Sequence, residues 1–298
     1  MSRTSWRLQI LINNYTRHGS LQAEHGLSLL LYRRKETRSG APEGVQGSGD
    51  DAPVYLFDTG QTPGVLLSNA EKLGLAWDSL SGIILSHGHY DHTGGLGGLL
   101  EDLPHEVPVY AHPEAFGVKL NSRPELHDIG SPISKDELAA AGGRLELVTE
   151  PRFLREDLII TGEVPRRYDF EKEATAGFKT RRNGEVVDDT IPDDLSIVIR
   201  VPGEGFFLIC GCCHAGLLNT VDYALELSGE SRVFGILGGL HTIGAGEERL
   251  RKTIARLEEL DLEWMAPLHC AGVRETAVMH GALGDIVRFP AVGDVIEL

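Results

Sequence analysis

Cysteine is scarce in this chain and forms no framework. Four occur in 298 residues, three crowded together at Cys210, Cys212 and Cys213, with Cys270 alone. That is not the pattern of a disulfide-stapled secreted domain, and a reducing cytoplasm is the expected setting. Cys210 ends an apolar strand pattern and reads as core, as free cysteines often are. Basic residues are also in deficit. Lys and Arg number 28 against 44 Asp and Glu, for a net charge of −16. So acidic a surface argues against nucleic acid and anionic membrane as partners. It does not argue against an anionic substrate, because bound cations would dominate the local field. Long apolar runs are missing too. Leu27 to Leu31 is far too short to span a bilayer, and Met1-Ser2-Arg3-Thr4-Ser5-Trp6 has no apolar core of signal-peptide length. A small-molecule substrate is the expected partner, and the oligomeric state is left open.

What remains is an ordinary folded composition, 41% hydrophobic. No long linker divides it, so residues 1–298 read as a single domain. The stretch 39–53, rich in Gly, Ser, Pro and acid, reads as a flexible hairpin insertion. Strand patterns appear at Arg7 to Asn13, Leu27 to Tyr32, Val54 to Phe57, Ile83 to Leu85, Val107 to Ala111, Leu158 to Ile160, Leu195 to Val201, Phe206 to Cys210 and Val233 to Leu237. Helical spacing appears at Val65 to Leu73, Lys135 to Ala141, Thr220 to Leu227 and Glu247 to Leu260. Phe116 to Gly143 is irregular. The polar stretch up to Asp194 reads as a lid or an exposed loop.

The most informative segment is His87-Gly88-His89-Tyr90-Asp91-His92, directly after Ile83-Ile84-Leu85. Alternate residues leaving a strand share a face, so His87 and His89 can point the same way. Imidazole nitrogen and carboxylate oxygen suit zinc, iron or manganese. Four such groups in one loop exceed what one metal needs if distant segments also contribute, so two adjacent metals are expected. An ordinary polar loop rarely clusters these residue types so tightly. His214, His241 and His269 share one context: an apolar strand, then Gly or Pro, then His. Asp58, in Phe57-Asp58-Thr59-Gly60, suits either a turn or a residue that orients a ligand histidine.

H-x-H-x-D-H after a hydrophobic strand resembles the signature of the metallo-β-lactamase superfamily, and the likeness runs from about Leu8 to Leu298. Glu24-His25-Gly26-Leu27-Ser28, Thr161-Gly162-Glu163-Val164-Pro165-Arg166, Asp193-Asp194, Gly211-Cys212-Cys213-His214-Ala215-Gly216, Gly238-Gly239-Leu240-His241 and Pro267-Leu268-His269-Cys270 resemble one branch of it. That branch includes 7,8-dihydropterin-6-methyl-4-(β-D-ribofuranosyl)-aminobenzene-5'-phosphate synthase. The resemblance implies a four-layer αββα sandwich of two mixed sheets flanked by helices, with the site at one edge. It implies that His87, His89 and His214 hold one metal, and that Asp91, His92 and His269 hold a second.

The chain departs from the superfamily pattern in two places, one of them Gly162-Glu163-Val164 where the third motif's Gly-His-Thr is usual. Gly211-Cys212 stands where a bridging Asp is usual, which leaves three candidates for the bridge: the Cys212 thiolate, the Glu163 carboxylate or water. Asp91 and His241 are the candidate catalytic residues, with His25, Glu163 and Arg166 as candidate substrate contacts and Asp58 as a supporting residue. The implied cofactor is one or two divalent transition metals, foremost Zn2+, with Mn2+ or Fe2+ as alternates. The implied activity is hydrolysis of a small, phosphorylated metabolite by metal-activated water. Two alternatives stand beside it: a synthase displacing pyrophosphate from a pterin diphosphate, and a metal-containing metabolite sensor without turnover. A flavodiiron role is disfavoured because no flavodoxin-like appended segment is visible. A nuclease role is disfavoured by length and charge.

Overall fold

A computed structural model describes residues 4–35 and 54–298. The insertion read at 39–53 lies outside the described residues. Three sheets organise the described residues. The first has seven strands in the spatial order Val295–Glu297, Thr4–Ile12, Ser28–Lys35, Val54–Phe57, Leu80–Ile84, Val107–Ala111, Gly143–Leu147. The second has six, in the order Trp264–Leu268, Val233–Gly239, Gly205–Cys210, Ser196–Val201, Leu158–Ile160, Arg152–Arg155.

Side-chain alternation explains why these two sheets stack. Leu29, Leu31, Phe57 and Ile84 point one way and meet Leu158, Ile160, Ile197, Phe207 and Ile209 from the second sheet. Their sequence neighbours Leu30, Leu56 and Ile83 point the other way and pack on Leu66 and Ala70 of helix Pro63–Lys72, Leu96 and Leu99 of helix Leu96–Asp102, and Leu138 of helix Lys135–Ala140. The second sheet does the same. Val198, Leu208 and Cys210 turn outward onto helices Leu217–Ser228, Glu247–Glu259 and Val273–Leu283 through Val221, Leu257 and Met279. Strands buried on both faces read as unbroken apolar runs, and so they do here. The result is the αββα order of layers, with Cys210 in the outer core of the second sheet as expected.

The third sheet was not foreseen. Glu185–Asp188, Phe178–Arg182, Leu120–Asn121 and His127–Asp128 pair antiparallel. The segment read as irregular and the stretch read as a lid or loop thus join into one small sheet. Its strands are too short, and too polar on their open face, to give a clear period.

Val54–Phe57, Leu80–Ile84, Val107–Ala111 and Gly143–Leu147 run parallel, as do Gly205–Cys210, Val233–Gly239 and Trp264–Leu268. Their carboxyl ends open on one rim, the place where parallel sheets present binding groups. No helix among the described residues is long and apolar enough to cross a membrane.

Candidate metal centre

Each expected ligand leaves the end of a strand on this rim. His87, His89, Asp91 and His92 follow Leu80–Ile84, His214 follows Gly205–Cys210, and His269 follows Trp264–Leu268. All six are buried, as is Cys212. The backbone bends hard to deliver them. Asp58, Cys213, His241 and His269 have φ of 57°, 59°, 45° and 47°, the left-handed region that non-glycine residues avoid. Gly88 fits between two ligands because it has no side chain. A Cβ there would stand 1.9 Å from the Ala115 carbonyl oxygen.

The groups sort into two overlapping sets. His87, His89 and His214 offer ligand atoms within 4.8 Å of one another, and so do His87, His92 and Cys212. His87 Nε2 and His89 Nδ1 lie 2.9 Å apart. Around the second point, His92 Nε2 lies 3.2 Å from His269 Nε2 and 3.1 Å from Cys212 Sγ, and His269 Nε2 lies 3.2 Å from Asp91 Oδ2. Ligands about 2.1 Å from a tetrahedral ion would stand roughly 3.4 Å apart. The observed spacings are close to that. Cys212 lies between the two sets, and Glu163 does not: its carboxylate meets His112 Nε2 at 3.0 Å, and half of it is exposed.

In four of the five ligand rings the partner of the far nitrogen decides which atom faces inward, whereas the far Nε2 of His89 is buried with no partner. His87 Nδ1 meets Ser86 Oγ at 2.8 Å, and His92 Nδ1 meets Asp58 Oδ2 at 2.7 Å. His214 Nδ1 meets the Ala174 carbonyl at 3.3 Å, and His269 Nδ1 meets Asn14 Oδ1 at 2.9 Å. Four Nε2 atoms are therefore left for the centre, and that of His214 is buried with no partner. A bound ion would resolve such an orphan, and the arrangement is how ligand histidines are usually held. Asp58 also accepts from the Ser86 amide and hydroxyl, both at 2.7 Å, so it ties the strand end to the ligand it orients.

Protonation suits the same purpose. Burial and the neighbouring imidazoles hold His87 and His214 well below the usual histidine range, and burial brings His89 to about 3, so all three are neutral donors. Burial opposes charge on His92 as well, but Asp58 and Asp91 outweigh it and raise the ring to about 9. Burial also opposes charge on Asp91, and His92, His25 and His269 prevail, holding the carboxyl well below its ordinary value. The negative field that charges His92 would equally draw a metal cation. The donor set, the spacings and the orphaned nitrogen all fit a transition metal.

Other expected contacts fall in different places. His25 reaches the centre: Nε2 lies 3.1 Å from Asp91 Oδ2, with the ring half-exposed. Glu24 does not. Its carboxylate accepts from the Gln61 and Thr62 amides at the start of helix Pro63–Lys72. His241 lies beside His214, ring centroids 4.4 Å apart, with a buried and unpartnered Nδ1. Arg166 is not free to grip an anion as expected. Nη1 donates to the His214 carbonyl at 2.8 Å, and Nη2 donates to the carbonyls of Thr190 and Ile191. It clamps the His214 turn instead. Arg167 spends its fork on Glu226.

Sequence reasoning missed Asn14, Ser86 and Ala174 as ring anchors, and it missed a buried charge cluster. Lys119 pairs with Asp189 at 3.1 Å and with Asp193, and Asp193 accepts from the Gly88 amide at 2.8 Å. It missed Phe178 too. This ring, from the third sheet, lies 5.1 Å from both His89 and His214 and 5.7 Å from His241. The adjacent pair Asp193-Asp194 was the available signal for the charge cluster; nothing local marked Phe178. A separate surface depression, lined by Arg17, Trp264, Arg288 and Phe289, contains none of these groups.

The fold and this centre define a class. The family model of the metallo-beta-lactamase superfamily matches residues 46–212. The chain belongs to that superfamily. Within it, the chain is 32% identical to 7,8-dihydropterin-6-methyl-4-(beta-D-ribofuranosyl)-aminobenzene-5'-phosphate synthase of Methanocaldococcus jannaschii, over 98% of this chain and 96% of that protein. Its structure is similar to that of a metal-dependent hydrolase of the beta-lactamase superfamily, with a TM-score of 0.79 and 26% identity over 98% of this chain and 99% of the other. Zinc-bound PqqB of Methylobacterium extorquens shares the fold, with a TM-score of 0.54 and 13% identity over 98% and 100% of the two chains.

Proposed function

We propose that the protein is a metal-dependent hydrolase of a small, phosphorylated metabolite, loaded with one or two divalent ions, foremost zinc, with manganese or iron as alternates. One observation carries the reading. Four buried histidines have their Nδ1 atoms held by Ser86, Asp58, Ala174 and Asn14, which leaves every Nε2 for a common centre. His87, His89 and His214 would hold one ion and Asp91, His92 and His269 the other, with Cys212 between them. An ion so bound supplies Lewis acidity, lowering the pKa of water and polarising a carbonyl or phosphoryl oxygen.

The chain's own residues do the rest. Asp58 and Asn14 fix ring orientation before substrate arrives, so no reorganisation is needed at the moment of reaction. Asp91 Oδ2 is shared by His25 and His269. His25, at the half-exposed mouth, points its Nε2 at that carboxylate, so the pair would hold a proton there and pass it toward a leaving oxygen. His241, with its unpartnered Nδ1, is the corresponding donor on the His214 side. Phe178 keeps water off His89 and His214.

A second reading is displacement of pyrophosphate from a pterin diphosphate. It is favoured by 32% identity, over nearly the full length of both chains, to a protein named as a dihydropterin-linked phosphate synthase. Elemental analysis of protein purified without chelator, with turnover on phosphodiester, lactone and pterin-diphosphate substrates, tests both. The product separates them: water is incorporated in the first and pyrophosphate released in the second. Tight metabolite binding with no turnover under zinc, manganese or iron would defeat both and favour a sensor.

A further inference from the structure

Cys270 has no part in the centre described above, yet it touches it. Its ligand atom lies within 4.8 Å of those of Cys212 and His269, but no such group joins it to His87, His89, Asp91, His92 or His214 among the described residues. Both thiols are free and buried. The backbone is shaped to bring them together. A Cβ on Gly239 would stand 2.7 Å from Cys270 Sγ and 3.2 Å from Cys212 Cα, so any side chain at that strand end would wedge the pair apart. Cys270 Sγ accepts from the His241 amide at 3.3 Å and lies 3.7 Å from the Cys212 carbonyl. On its other side, Cys212 Sγ faces His92 Nε2 at 3.1 Å. Cys212 therefore stands between a metal position and a second thiol.

We propose that Cys212 and Cys270 are a metal-guarded disulfide pair. In the metal-free chain a two-electron oxidant of the diazene class links them and withdraws Cys212 from the centre. In the loaded chain the ion holds the Cys212 thiolate and prevents the link. The guarding rests on the proposed metal centre; the linkage does not.

The step balances. One sulfur adds across the N=N bond of the diazene, and the second attacks that sulfur and expels the hydrazine. Two S–H bonds are lost, one S–S bond forms, and the diazene takes up two protons and two electrons. Sulfurs at most 4.8 Å apart must close by less than about 3 Å to reach bonding distance.

The test treats the full chain with diamide, once dialysed against chelator and once loaded with zinc, and follows intact mass and a non-reducing peptide map. The metal-free chain should lose two hydrogens and yield one cross-linked peptide joining the Cys212 and Cys270 segments. The loaded chain should react at least roughly tenfold more slowly, and the oxidised chain should take up less zinc until it is reduced. Cys270→Ser should lose the cross-link while keeping its zinc stoichiometry, and Cys270→Ala serves the same purpose where the serine variant misfolds by circular dichroism. No link in the metal-free chain, or a link confined to Cys210 and Cys213, overturns the pair. Equal rates with and without stoichiometrically bound zinc overturn the guarding. A cross-link that forms in a chain that never binds zinc leaves the pair standing and defeats the metal centre instead.

Discussion

The two sheets feed the rim differently. The first delivers His87, His89, Asp91 and His92 from one loop, anchored by two buried carboxylates, Asp58 and Asp193. The second delivers His214 and His269 singly, from separate parallel strands, and anchors their rings with neutral groups, the Ala174 carbonyl and Asn14. On the first side, local chain geometry and charge place the ligands. On the second, the register of parallel strands does so, with Gly238 opposite Cys210 and Pro267 opposite Gly238. A loop held by charge can be built from a few residues in sequence, whereas a register needs the whole sheet. The two halves should therefore fail in different ways.

The largest effects should come from the ligands themselves. His89→Ala should empty the position shared with His87 and His214, and His269→Ala the position shared with Asp91 and His92, with activity lost in each. The metal-affinity loss should exceed the 10- to 100-fold typical of residues that only support a ligand. Elemental analysis of the two variants checks this. If either variant keeps full occupancy, or if both lose the same ion, the division into two halves is wrong. Next comes Lys119→Met. It leaves Asp189 and Asp193 buried without their cation, which should cost about 3–5 kcal/mol in urea unfolding. A cost below about 1 kcal/mol, the scale of an exposed pair, would show that the cluster does not anchor the first half.

How much of this could be read from the chain follows the same divide. The loop from His87 to His92 announced itself because its ligands are neighbours in sequence, and Asp58 did so through its turn. His214 and His269 were legible only because each follows an apolar strand. The helix expected at Glu247 to Leu260 appears as Glu247–Glu259, and the strands expected at Leu195 to Val201 and Phe206 to Cys210 appear as Ser196–Val201 and Gly205–Cys210. Phe178, Asn14 and Lys119 were illegible because Phe178 meets His214 across 36 residues, Lys119 meets Asp189 across 70 and Asn14 meets His269 across 255, and no periodicity connects such partners. Arg166 was read as an anion contact, and in the fold its donors meet the His214, Thr190 and Ile191 carbonyls. A guanidinium after Gly162-Glu163-Val164-Pro165 offers the same donors to a phosphate or to three carbonyls, and only the fold decides between them.

A gentler contrast sets one orienting residue against another. Asp58→Ala removes a charged acceptor from His92 and two anchors from Ser86 and should weaken metal binding by about 10- to 100-fold. Asn14→Ala removes a neutral acceptor from His269, worth about 1 kcal/mol, or roughly fivefold. Metal titration against a competing chelator measures both. Equal losses would mean that charge on the first side contributes nothing beyond geometry.

The smallest effect separates two roles for one residue. Arg166→Met keeps much of the apolar stem but removes the donors that hold the His214, Thr190 and Ile191 carbonyls. Charge-assisted bonds of this kind contribute about 1.5–3 kcal/mol together with the desolvation they offset, and partly exposed carbonyls can recover some of that from water. Unfolding free energy should fall by about 1–2 kcal/mol, and KM for an anionic substrate should change little. If Arg166 instead gripped the substrate, stability would hold and KM would rise, because a lost bidentate contact to phosphate weakens binding directly. Measuring both quantities on the one variant decides whether the second half of the rim is held by this clamp or merely bordered by it.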